Sequence, residues 1–102
     1  MLDLIEQHRA QIESLCKKYD VRRLDVFGSA VSGEFDPRRS DLDFLIEFND
    51  FTVHNAADRY FEFLSDLESL LGRKVDLISD KAIRNPYFRS SVDAERVNLY
   101  AA

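Results

Sequence analysis

The chain holds a single cysteine, Cys16, and two histidines, His8 and His54, that stand far apart. One thiol closes no internal disulfide, and these residues lack the grouped spacing of zinc ligands. A basic surplus is also missing. Against 14 Lys and Arg stand 19 Asp and Glu, for a net charge of −5. Nucleic-acid affinity rests on neutralising phosphates, so general nucleic-acid binding is excluded as the main role. The basic pairs Arg22-Arg23 and Arg38-Arg39 leave room for local phosphate contacts only. There is no long apolar run, and Met1 opens directly into a charged amphipathic stretch. No membrane span and no signal peptide are expected, which makes a reducing, cytoplasmic location the default. Repeats, low-complexity tracts and linkers are absent too. What remains is 102 residues with 45% hydrophobic and 32% charged side chains, enough for one domain around one core and too well mixed for global disorder.

Within that frame, helix and strand patterns alternate. Residues 2–19 put Leu2, Ile5, Ile12, Leu15, Cys16 and Tyr19 on one face of an amphipathic helix. RLDVF, residues 23–27, reads as a strand ending at Gly28, and a turn with a short helix follows. DLDFLIEF, residues 41–48, reads as a second strand with Leu42, Phe44, Ile46 and Phe48 on one face. Residues 55–71 carry apolar side chains at helical spacing, with Thr52 or Asn55 as N-cap and Gly72 as stop. KVDLIS, residues 74–79, is a third strand. Asn85-Pro86 supplies the N-cap and first position of a last helix that is expected to run to about Tyr100. The order α-β-α-β-α-β-α predicts an α+β fold of α/β-like character, a small sheet flanked by helices.

Chemistry concentrates in carboxylates. Asp41 and Asp43 are two residues apart, so on a strand both project to one face. Like charges that close need compensation, and a divalent metal supplies it. Magnesium prefers oxygen ligands, taking one or two carboxylates with water and phosphate oxygens. Asp76 interrupts an apolar strand between Val75 and Leu77 and joins the pair if the third strand lies beside the second. Three carboxylates around two metals suit in-line phosphoryl or nucleotidyl transfer. Gly28 permits a tight turn and close approach of a ligand, and Ser29 offers a hydroxyl and a backbone N–H. A short helix starting at Ser29 or Ala30 would turn its free N–H groups toward a phosphate. Taken singly, a Gly-Ser pair is an ordinary turn and an Asp-x-Asp a solvated edge. Their joint occurrence in this order is the signal. Asp25, also a strand carboxylate, has no such company and reads as structural.

Gly28-Ser29, a polar spacer and Asp41-Leu42-Asp43 before an apolar strand resemble the signature of the DNA polymerase β-like nucleotidyltransferase superfamily. More narrowly, the chain resembles its minimal nucleotidyltransferases, over most of residues 1–102 read as a single domain. The resemblance implies a small mixed sheet flanked by helices. It implies that Gly28 and Ser29 contact the nucleotide, that Asp41 and Asp43 hold Mg²⁺, two ions in all, and that Asp76 is the third carboxylate, a metal ligand or base. Two departures stand out. The spacer over residues 30–40 is one residue longer than is common, with the extra residue expected in 36–39, and Ser32 stands where many relatives carry a basic side chain. At 102 residues, no separate acceptor domain is expected. The resemblance therefore implies an acceptor on another molecule: a HEPN-type helical toxin, in a type VII-like toxin–antitoxin pair, to whose tyrosine hydroxyl AMP is transferred from ATP. It allows a hetero-oligomer with that toxin. A second reading is a binding module that neutralises a helical partner by occlusion. A third is transfer to a small molecule or an RNA end.

Overall fold

The computed structural model describes residues 3–33, 36, 41–49 and 56–102. Two short helices open the chain, α1 (Asp3–Gln7) and α2 (Arg9–Lys18). The expected single helix is thus divided at His8, whose Nδ1 lies 2.8 Å from the Leu4 carbonyl. The periodicity survives the break: Ile5, Ile12 and Cys16 are all fully buried on one side. Burial also pushes the Cys16 thiol up to about 12, which leaves it inert as a nucleophile. Asp20 takes the left-handed conformation (φ 56°) that turns the chain out of α2, a conformation that Asp tolerates better than most residues. Its carbonyl accepts from the Asn49 N–H at 2.9 Å and so ties the start of one strand to the end of the next.

Four strands form one sheet: β1 (Val21–Phe27), β2 (Leu42–Phe48), β3 (Val75–Ser79) and β4 (Val97–Ala101), in the order β3-β2-β1-β4. β1 runs antiparallel to β2 and β4, while β2 and β3 are parallel. The sheet is mixed, as expected. A parallel pair needs a crossover, and α4 (Ala56–Leu71) supplies it. Phe63, Leu67 and Leu71 of α4 are buried. They pack with Ile5, Ile12 and Cys16 against Leu24, Val26, Leu42, Phe44 and Ile46 on one face of the sheet. Gly72 (φ 65°) ends α4 with its N–H on the Glu68 carbonyl at 2.8 Å. The expected caps Thr52 and Asn55 lie outside the described residues, as do Arg38 and Arg39.

Among the described residues, the opposite face is covered only in part. A 3₁₀ turn (Asp80–Ala82) leads to α5 (Pro86–Glu95). Asn85 caps α5, its Oδ1 accepting from the N–H groups of Tyr87 at 2.8 Å and Phe88 at 3.2 Å. Val92 packs with Phe27 and Leu45 in a second, smaller core.

The last helix corrects the sequence expectation. It ends at Glu95, and the remaining residues pair with β1 as β4, with Leu99 buried. No Gly or Pro marks the change. Arg96 fixes it from a distance. It takes an extended backbone (φ −62°, ψ 137°), and its guanidinium donates to Asp25, to Asp80 at 2.8 Å and to Asp93 at 2.9 Å. Asp25 is fully buried and also accepts from Arg23 Nε at 3.1 Å and Asn98 Nδ2 at 2.8 Å. A buried carboxylate needs such company, and the structural role expected of Asp25 follows from it.

Candidate active site

β1 ends at Phe27, β2 begins beside it, and β3 begins beside β2. The register pairs Phe27 with Asp43 and Asp43 with Asp76. Adjacent strands lie about 4.8 Å apart and paired side chains share a face. Asp43 and Asp76 are therefore neighbours on the partly open face of the sheet. Asp41 is exposed and stands one residue before β2, at the same end. The strand adjacency on which Asp76 depended is present.

Asp43 senses the charges around it. The Asp43 carboxyl rises from its ordinary 3.8 to about 6, first because burial penalises its charge, then through repulsion from Asp76, Asp41 and Glu95. Glu95 belongs to the last turn of α5, three residues after the buried Val92 and hence on the same side of the helix. Sequence reading did not single it out. A Glu late in a helix looks like solvent-facing surface, and only the packing of α5 brings its charge to Asp43. Tyr60 also approaches from α4: burial and then the Asp76 charge raise its hydroxyl, which donates to the Leu77 carbonyl.

Gly28 completes the site. It adopts φ 72°, ψ −144°, a combination open essentially to glycine alone. A Cβ at this position would stand 2.5 Å from Asp43 Oδ2. The bare backbone is what lets the chain turn directly over the carboxylate. The short helix expected at Ser29 is present as α3 (Ser29–Ser32), with the N–H groups of Val31 and Ser32 both 3.0 Å from the Gly28 carbonyl. Gly33 (φ 84°) ends α3, and Ser32 is exposed.

The donor set fits magnesium. Hard carboxylate oxygens crowded enough to help raise the proton affinity of Asp43 are relieved by a dication. Among the described residues, no three His, Cys, Asp or Glu side chains already converge on one point as in a closed cage. Magnesium does not need one, because water and phosphate oxygens supply most of its shell. A separate cavity of about 710 Å³, lined by Lys18, Tyr19, Arg59, Glu62 and Asp66 among others, includes none of these carboxylates. No helix among the described residues is long and apolar enough to cross a membrane.

Known proteins show what the chain is similar to. A family model described as nucleotidyltransferase domain matches residues 8–99. A candidate protein adenylyltransferase of Methanocaldococcus jannaschii is 33% identical over 95 residues, covering 93% of this chain and 90% of its own. The protein adenylyltransferase MntA of Thermococcus cleftensis is 33% identical over 76 residues, 74% of this chain and 73% of its own. Among solved structures, a candidate minimal nucleotidyltransferase superposes with a TM-score of 0.77 at 32% identity, covering 94% of this chain and 95% of that one. A chain of a toxin–antitoxin complex with AMP-PNP reaches 0.71 at 20% identity, covering 92% and 73%, and shares the fold. This chain belongs to the nucleotidyltransferase domain family.

Proposed function

We propose that the chain is a magnesium-dependent protein adenylyltransferase that moves AMP from ATP to a tyrosine hydroxyl of a HEPN-type toxin and so acts as its antitoxin. The observation that carries this reading is the pairing of Asp43 with Asp76 on one sheet face, under a glycine that has no room for a side chain. The names of the relatives and the toxin–antitoxin complexes among the structural neighbours support the choice of reaction and partner.

Asp41 and Asp43 would hold magnesium, with Asp76 as third carboxylate. When bound, magnesium would lower the pKa of the attacking hydroxyl and neutralise charge on the triphosphate. Gly28 and Ser29 receive the triphosphate at the start of α3, where backbone N–H groups face a phosphate without a side chain between. The acceptor oxygen attacks the α-phosphorus in line. The bond from that phosphorus to the bridging oxygen breaks, pyrophosphate leaves, and the hydroxyl proton passes to the Asp76 carboxylate. The residues contribute mostly position and charge.

Intact-mass measurement of a HEPN partner after incubation with this protein, ATP and magnesium tests the reading. The expected result is a gain of whole AMP units that disappears with Asp41→Asn or Asp43→Asn. Neutralisation of the partner by those variants with no mass gain would establish occlusion instead.

A further inference from the structure

The side of α5 that faces the carboxylates carries an aromatic ring that is only partly covered. Phe88, Val92 and Glu95 recur at helical spacing along one stripe. Val92 is buried against Phe27 and Leu45, and the Glu95 charge reaches Asp43. Phe88 meets the Phe27 ring edge-on, with centroids 6.2 Å apart and planes at 73°. Phe27 is almost fully buried, directly precedes Gly28 and is paired with Asp43. Phe88 thus stands one ring beyond the proposed phosphate cradle, and it remains 39% exposed. Its neighbour Tyr87 is 85% exposed. A partly exposed aromatic ring this close to the proposed phosphate cradle offers a flat apolar face to a ligand held there.

We propose that Phe88 is the surface on which the base of the nucleotide stacks, so that this site takes nucleoside triphosphates with purines ahead of pyrimidines. The inference rests on the reading of Gly28, Ser29 and the three aspartates as the triphosphate site. A nucleotide held there by its phosphates extends its ribose past Phe27 and brings its base to the exposed ring. Stacking needs only a π face and no matched hydrogen bonds. Selectivity between adenine and guanine is therefore weak, while the larger purine covers more apolar area than a pyrimidine.

Calorimetric binding of ATP, GTP, CTP and inorganic tripolyphosphate in magnesium tests this, with wild type, Phe88→Leu and Phe88→Trp. Leucine keeps the apolar contact with Phe27 and removes the π face; tryptophan retains it. Wild type is expected to bind ATP and GTP roughly tenfold or more tighter than tripolyphosphate, the scale of one base stacked on an aromatic side chain, with CTP between. Phe88→Leu is expected to lose most of that margin with tripolyphosphate affinity unchanged, and Phe88→Trp to keep it. If wild type binds ATP no tighter than tripolyphosphate, or if Phe88→Leu binds ATP as wild type does, the base does not stack on Phe88. An equal loss of both probes in Phe88→Leu overturns it as well. If wild type binds neither probe, the phosphate site itself is wrong and the platform falls with it.

Discussion

Gly28 and Asp43 depend on each other's size and charge. A methyl group at Gly28 would have to displace Asp43 Oδ2 from 2.5 Å and also hold a backbone at φ +72°. Gly28→Ala is therefore expected to cost about 1–3 kcal/mol of stability, the scale of one residue held in a glycine-only conformation, and to remove transfer activity. Thermal unfolding and an activity assay check the two halves separately. Asp43 carries a different cost. Its carboxyl is raised to about 6 from 3.8 by burial and by Asp76, Asp41 and Glu95. The folded chain thus holds this proton more tightly than the unfolded one, and in metal-free buffer stability falls as the pH rises between about 4 and 6, then levels. Asp43→Asn removes the penalty. Melting curves in chelator are expected to show the variant more stable than wild type above pH about 6 and the gap closing toward pH about 4, while the variant transfers no AMP. A stability cost at this position is what a site residue is expected to carry.

At the scale of elements, legibility followed how local the cause was. α5 begins where Asn85-Pro86 says it should, because a cap and a preset φ act within one turn. β2 was legible from its alternating apolar residues, yet Leu45 is buried too, because Val92 and Phe27 cover the second face. β4 was not legible. VNLYA follows the helix without punctuation, and its state is decided by Arg96 bonding to Asp25 on β1, far away in sequence. The same distance hid Glu95. Arg96 thus serves both as helix stop and as counter-charge. Burial pushes the Asp80 carboxyl up, but hydrogen bonds from Arg96 and Arg89 outweigh it and hold the group below its ordinary range. Arg96→Leu would strip Asp25, buried completely, of its main partner. The expected loss is about 3–5 kcal/mol, the usual cost of orphaning one member of a buried pair. Chemical denaturation measures it. A lowered carboxylate stabilises above its unfolded pKa and loses that contribution as pH falls through the folded one, so the Asp80 share of the difference between wild type and variant should shrink in acid.

Across the whole molecule, the two sheet faces divide the labour. One face, under α1, α2 and α4, holds the main core. The other carries α5, and at its end β1, β2 and β3 bring Gly28, Asp43 and Asp76 together. The Gly-Ser and Asp-x-Asp pattern was readable as a candidate site, and its residues lie at adjacent strand ends. Asp76 needed the fold, since only a parallel β3 beside β2 places it there. The claim that this end of the sheet transfers a nucleotidyl group, and no other part of ATP, is tested most directly by label position. ATP carrying radiolabel on the α-phosphate and ATP carrying it on the γ-phosphate are each incubated with magnesium, this protein and a HEPN-type partner. The account predicts that α label appears on the partner and γ label only in released pyrophosphate, with both signals lost in Asp43→Asn. Label from the γ-phosphate on the partner, or a neutralised partner that carries no label, would contradict it.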